Sequence, residues 1–135
     1  MRVMLEGGAY KPKRAHTTDA GLDLRAREGF EIPPYNMIIV DTGVHVALPA
    51  GTVGYIKSKS GLMAKGITVE GTIDESYRGS IRVVMFNHTG ERKYFELGDK
   101  IAQLVVEPVR YEAVEIVDRL DQTDRGENGF GSTGR

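Results

Sequence analysis

The sequence predicts an all-β domain, a sandwich or barrel, with one short helix. Three observations carry the prediction. Seventeen glycines and five prolines punctuate the 135 residues, at intervals of about 8–12. The runs between them are short and rich in Val, Ile, Tyr and Thr, which suit a pleated, half-buried surface. No long segment repeats its apolar residues with the 3.6-residue period of a helix. A chain of this length is one domain by size and can bury its own core.

Residues 1–5 form a first strand with Val3 and Leu5 on one face. Residues 10–18 are polar and basic, a surface loop. Leu22 and Leu24 alternate with Asp23, the pattern of a half-buried strand whose carboxylate faces solvent. The alternative sets Asp23 near a phosphate-bound cation, reached through water. Residues 30–34 form a turn. Residues 37–40 are a buried strand, and Val44, Val46 and Leu48 mark another, with His45 pointing outward. A turn at 49–51 leads to a short strand at 53–56. Residues 57–66, KSKSGLMAKG, hold the helix: Ser60 suits an N-cap, Leu62, Met63 and Ala64 favour helix, and Gly66 suits C′. Free N–H groups at its start, beside Lys57 and Lys59, make an anion site; the plainer reading is a solvated lysine turn.

Residues 67–73 and 80–86 are strands flanking residues 71–79, GTIDESYRG. Apolar residues on both faces make the second strand central. In the stretch between, Asp74 follows the β-former Ile73, and Tyr77 comes three residues later. The bracketing glycines predict a tight hairpin that aims one acid and one ring into a small pocket. Residues 87–93 are a polar turn. Residues 94–97 lead to a turn at Gly98-Asp99 and a strand at 100–106. There Gln103 is one amide in an apolar run, so it either satisfies a neighbouring backbone group or faces a wet pocket. Residues 111–117 alternate apolar and acidic after Pro108, predicting a last strand at an edge, or an arm reaching a neighbouring subunit. Residues 125–134, RGENGFGSTG, cannot pack a core. Arg125, Phe130 and a donor-rich backbone fit a lid over a charged, ring-containing ligand better than a plain tail. GK[ST] and a following helix are both missing, so this is not a Walker A loop. The division is a β domain over 1–120 and a flexible glycine-rich lid over 121–135.

Composition excludes several classes. The net charge of −1 gives no broad attraction to nucleic acid or membrane. Cysteine is absent, so there is no disulfide framework, thiolate chemistry or Cys-based zinc site. His16, His45 and His88 lack metal-ligand spacing. No apolar run approaches the roughly 18 residues that span a bilayer. The start, MRVMLEGG, lacks the apolar region of a secretory signal, so a cytoplasmic protein is expected.

Five motifs in order, AGLDL, KSGL, GTIDESYRG, GDKIAQL and RGENGFGSTG, resemble those of the trimeric dUTP pyrophosphatase (dUTPase) family, over residues 20–134. The resemblance implies a jelly-roll-like β fold and a homotrimer with shared active sites. It implies hydrolysis of dUTP to dUMP and pyrophosphate, with Mg²⁺. Asp74 then matches the general base and Tyr77 the tyrosine under the deoxyribose. Lys59, Ser60 and Gly61 match the phosphate-binding turn, and Gln103 a glutamine near the phosphates. Asp23 matches the aspartate that reaches the metal's water shell. Arg125 would clamp the γ-phosphate, Phe130 stack on uracil, and Gly131 and Ser132 add phosphate contacts. Thr68, Thr72, Ile73 and Arg82 complete the implied substrate contacts. The chain departs from the family at Lys59, usually Arg, at Thr68, often Asn, and at Asn128, usually Gly. Lysine offers a point charge where arginine offers a fork. Two other readings share the fold: a dCTP deaminase relative, whose glutamate-centred signature is missing around 71–79, and a nucleotide-binding regulatory protein.

Overall fold

The structure is a computed structural model that describes residues 1–129. Its elements are β1 (Arg2–Leu5), β2 (Gly21–Arg25), β3 (Phe30–Ile32), β4 (Met37–Ala47), β5 (Thr52–Lys57), α1 (Ser60–Met63), β6 (Ile67–Ile73), β7 (Ser80–Asn87), β8 (Lys93–Phe95) and β9 (Lys100–Pro108). Seven strands form one curled antiparallel sheet in the order β1-β4-β7-β6-β5-β9-β2, and β3 pairs with β8 beside it. Inward side chains at every second position build one core, including Leu24, Val44, Ile56, Ile67, Ile81, Val83, Met85, Ile101 and Leu104. The β3–β8 pair closes one end of it, with Phe30 and Phe95 stacked 4.8 Å apart. The expected all-β class with one short helix is what forms.

Several local expectations are corrected. Residues 30–34 are not simply a turn, because Phe30–Ile32 pairs with β8 and buries Ile32. The two strands expected at 37–40 and 44–48 are one, β4, carried through a bulge between Asp41 and His45. Gly43 takes the left-handed φ of 65° there, and its N–H donates to the Asp41 carboxylate at 2.9 Å. Buried Thr42 donates its hydroxyl to the Ile81 carbonyl at 2.8 Å, holding the bulge to β7. Asn87 belongs to β7, not to the turn after it, and its amide donates to the carbonyls of Ile32, Pro33 and Glu91. Lys59, not Ser60, is the N-cap of α1; Ser60 is the first helical residue, and Gly66, at φ 76°, lies beyond the Ala64 C-cap. Residues 111–117 form no strand: Val114 and Ile116 are over nine-tenths exposed, with no sheet edge alongside.

The apolar outer face also differs from expectation. Every residue of β1 is exposed beside β4, and residues 37–40 are not uniformly buried. Met37 faces Phe86 and Ile39 faces Val84 across β4–β7, and Met37, Ile39 and Phe86 are each at least 40% exposed. β7 is interior to the sheet, as expected, but only one of its faces is covered within this chain.

Candidate active site

Two groups of the expected residues come together, at opposite ends of β5 and β6. The first surrounds Asp23. The alternation that set its carboxylate toward solvent is corrected: Asp23 is only 8% exposed. β2 pairs with β9 so that Asp23 faces Gln103, and β9 pairs with β5 so that Lys57 faces Gln103. The chain then turns from Lys57 into α1, which brings Lys59 onto Asp23 Oδ1, while Lys100 Nζ lies 2.6 Å from Oδ2. Burial pushes the Asp23 carboxyl up, but the Lys100 and Lys59 ammonium groups outweigh it and hold the acid below its ordinary value. Gln103 donates Nε2–H to the Ser58 carbonyl at 3.0 Å, the backbone partner its position demanded. A Cβ on Gly21 would stand 2.3 Å from the Gln103 side-chain oxygen, so glycine leaves the amide its place. Ser58 is fixed by bonds between its hydroxyl and the N–H and carbonyl of Val69. In the first turn of α1 the Leu62 and Met63 N–H groups donate to the Lys59 carbonyl. Among the described residues, no hydrogen bond engages the Ser60 and Gly61 N–H groups.

The second group is the stretch at 71–79. The expected tight hairpin is corrected: β6 and β7 are paired only from Ile67↔Asn87 to Glu70↔Val84. Beyond that, Gly71, Thr72 and Ile73 pair with β5, while Arg82 and Val83 pair with β4. The two strands part, and the facing backbone edges of residues 71–73 and 80–83 are not paired with each other. Asp74 is exposed where β6 ends, just after buried Ile73. Tyr77 lies over Gly79, with its hydroxyl donating to the Ser80 carbonyl at 3.0 Å. Thr72 and Arg82 are exposed on either side.

Three residues that sequence reasoning passed over hold this stretch. Glu75 accepts the Gly51 N–H at 2.7 Å and the Tyr111 hydroxyl at 2.9 Å, and these bonds hold its acid below the ordinary range. Arg78 donates to the carbonyls of Glu75 and Tyr77. His45, expected to point outward, bridges the Arg78 carbonyl at 2.8 Å and Glu6 at 2.9 Å, and both bonds raise its pKa. Glu75 and Arg78 lie inside GTIDESYRG, so proximity to Asp74 was the available signal. His45 had none.

Thr68 joins neither group; it bonds to His88 at 2.7 Å, opposite Phe86. Arg125 donates Nε–H to the Asn128 carbonyl at 3.0 Å. Phe130, Gly131 and Ser132 lie outside the described residues. Among the described residues, no three His, Cys, Asp or Glu side chains gather as a metal site, and no helix is long and apolar enough to cross a membrane.

A curled β domain with a buried, doubly paired acid at one end and an exposed acid where β6 and β7 part at the other is an arrangement that a nucleotide hydrolase can use. Its relatives say which. The dUTPase family profile matches residues 9–134. A deoxyuridine 5'-triphosphate nucleotidohydrolase of Gloeothece citriformis is 48% identical over 134 residues, 96% of this chain and 92% of that protein. A point mutant of the dUTPase of Staphylococcus bacteriophage 80alpha, solved with dUpNHpp, superposes with a TM-score of 0.92 at 28% identity, covering 99% of this chain and 98% of that one. A mutant dUTPase of phage phi11 of S. aureus, described with a structural Mg(II) ion, superposes at 0.81 and 28% identity, over 87% and 96%. The chain belongs to the dUTPase family, the dUTP diphosphatases.

Proposed function

We propose that the chain hydrolyses dUTP to dUMP and pyrophosphate through attack of water on the α-phosphorus, with Asp74 as general base, at sites shared between the chains of a homotrimer. The observation that carries this reading is the parting of β6 and β7 beside Asp74 and Tyr77. Backbone donors and acceptors freed on the two edges suit the imide edge of uracil. The methyl of thymine clashes in such a slot, and cytosine presents a reversed donor pattern. Thr72, Ile73 and Arg82 border the slot. The Tyr77 ring beneath the deoxyribose leaves no space for a 2′-hydroxyl. Asp74 orients the water and takes its proton, a contribution of about 10²–10⁴ in rate.

The triphosphate belongs at the other group. Lys59, the unengaged N–H groups of Ser60 and Gly61, and Gln103 supply charge and donors. Asp23 is the one carboxylate there, which does not suit a metal ion held by protein alone. It suits a hydrated Mg²⁺ carried in by the nucleotide and touched by Asp23 through water. Such an ion, when bound, would neutralise phosphate charge and polarise the scissile bond. Residues 121–135 act as the lid, with Arg125 on the γ-phosphate, Phe130 on uracil, and Gly131 and Ser132 on the phosphates.

The sharing of sites rests on register. Ile73 pairs with Gly54, placing Asp74 at the Val53 end of β5, whereas Lys59 lies past the Lys57 end. About six residues of strand separate them, about 20 Å at 3.3 Å per residue. That exceeds the reach of one bound α-phosphate, so the Asp74 of one chain serves the phosphate group of another. The outer patch of Met37, Ile39, Val84 and Phe86 supplies apolar surface for the contact.

The test is pyrophosphate release from dUTP, dTTP, dCTP and UTP with Mg²⁺, with ammonia followed in parallel. Turnover of dUTP alone is expected; ammonia release would mark a deaminase. Asp74→Asn should lower kcat by about 10²–10⁴ while dUTP binding survives, and an equal loss of binding would refute the base assignment.

A further inference from the structure

Asp23 is where β2, the start of β9 and the start of α1 meet, and both of its oxygens are taken. Lys59 holds Oδ1 and Lys100 holds Oδ2 at 2.6 Å. The dUTPase reading gives tasks to Asp23 and Lys59 and none to Lys100. Resting on that reading, the geometry points to Lys100 as a positioning residue: it is the cation that stays on Asp23 while Lys59 moves from Asp23 to the triphosphate.

The two lysines differ in what holds them. Lys59 is the N-cap of α1, with extended backbone, directly beside the free Ser60 and Gly61 N–H groups. Its ammonium sits on a flexible four-carbon stem and can pass from carboxylate to phosphate without movement of the backbone. Lys100 opens β9, where it stands opposite Arg25 in the β2–β9 ladder. Its backbone is set by the sheet on the side that faces Asp23.

Charge explains why two cations are needed. Asp23 is more than nine-tenths buried. With a single partner, departure of Lys59 would leave a buried carboxylate with no direct counter-ion and only a water-separated cation nearby, the costly way to break such a pair. With Lys100 on the second oxygen, Asp23 remains ionised and paired after Lys59 leaves. The freed Oδ1 then faces the phosphate end. Lys59 is thus parked on Asp23 until the triphosphate draws it away, and Lys100 lowers the cost of releasing it.

The experiment compares the full chain with Lys100→Met and Lys100→Arg. Steady-state pyrophosphate release from dUTP is measured together with calorimetric binding of dUpNHpp and of dUMP, which lacks the outer phosphates. Lys100→Met should raise KM for dUTP and weaken dUpNHpp by about tenfold, since Lys59 is then Asp23's only counter-ion. Its kcat and dUMP affinity should stay within about twofold, and Lys100→Arg should restore KM by restoring the cation. Unchanged KM and dUpNHpp affinity in Lys100→Met would overturn the proposal. So would an equal loss in kcat and dUMP binding, the mark of a damaged site. Side-chain ammonium NMR of the unaltered chain decides the matter even if Lys100→Met does not fold. Adding dUpNHpp should shift the Lys59 signal and leave that of Lys100 in place; the reverse pattern refutes the assignment. An unaltered chain that releases no pyrophosphate from dUTP refutes the dUTPase reading instead.

Discussion

Gly79 is a glycine because Tyr77 occupies the space its side chain would need. A Cβ there would stand 2.3 Å from the Tyr77 hydroxyl and 2.5 Å from the ring carbon that bears it. Gly79→Ala must therefore push the ring out of place, and the exposed ring can move. The fold should lose no more than about 1 kcal/mol, while discrimination of dUTP against UTP falls. Comparing kcat/KM for the two nucleotides checks this; an undiminished ratio would remove Tyr77 from the sugar contact. Glu75 works on the other neighbour. Its carboxylate ties the Asp74 stretch to the turn at Gly51 and to Tyr111. Glu75→Ala should lower kcat more than it raises KM, because Asp74 loses its anchor and no substrate contact is removed; steady-state kinetics of the variant measures the split. At this scale residue type singled out Asp74, Tyr77 and the lone amide Gln103, and the structure sets Tyr77 over Gly79 and Gln103 on the Ser58 carbonyl. The sequence was not readable for partners fixed by long-range contact. Lys100 lies far along the chain from Asp23, a separation no local pattern reports. Alternation also misled at Asp23, since a carboxylate between two lysines can be buried like an apolar residue.

Among the elements, β4 and β7 hold the stretch at 71–79 in place through charge. His45 on β4 bonds to the Arg78 carbonyl, and Glu6 joins it to Arg27, which in turn faces Asp41. Ser80, where β7 starts, donates its hydroxyl to that same Asp41. The Arg78 and Glu6 bonds raise the His45 pKa, so the folded state binds this proton more tightly than the unfolded chain. Its contribution to stability is therefore complete below the ordinary histidine value of about 6.5 and is lost as pH rises through the higher folded value. Thermal unfolding followed from mildly acidic to mildly alkaline pH should show this decline, and His45→Gln should flatten it. A parallel decline in both proteins would sink the idea. Asn87 is the neutral counterpart, a buried amide tying β7 to the carbonyls of Ile32, Pro33 and Glu91 and accepting from Thr89. Asn87→Ala leaves several buried groups unpaired and should cost roughly 2–4 kcal/mol, measured by denaturant unfolding. The strands were legible because a side-chain period of two arises from one covered face, and β5, β6, β7 and β9 fall where that period places them. β3 was missed because three residues are too few to show a period. The strand at 111–117 was predicted from real alternation, but a strand needs an edge to pair with, and sequence does not supply one.

At the scale of the whole molecule, the proposed sharing of sites would account for two features of the single chain at once. The outer face of β4 and β7 carries exposed Met37, Ile39 and Phe86 beside half-buried Val84, and the two halves of the candidate site lie at opposite ends of β5. Apolar residues on both faces of β7 were visible in the sequence; which face the chain covers itself was not, because periodicity cannot say what covers a surface. Association through that face would cover the patch, and a cyclic arrangement would let each Asp74 meet the Lys59 and Gln103 of a neighbour, as proposed. Phe86→Asp should therefore yield a folded monomer that fails to turn over dUTP, seen by light scattering alongside the activity assay. Complementation asks the sharper question. Asp74→Asn spoils one half of a site, and a Lys59→Met/Gln103→Leu variant spoils the other. If one chain built its own site, mixtures refolded together would stay as inactive as either parent. If each site draws its halves from two chains, equal random mixing pairs an intact Asp74 with an intact phosphate side in about one site in four. Recovery of about a quarter of the unaltered activity is expected on that arrangement, and a mixture no better than its parents would place the whole site within one chain.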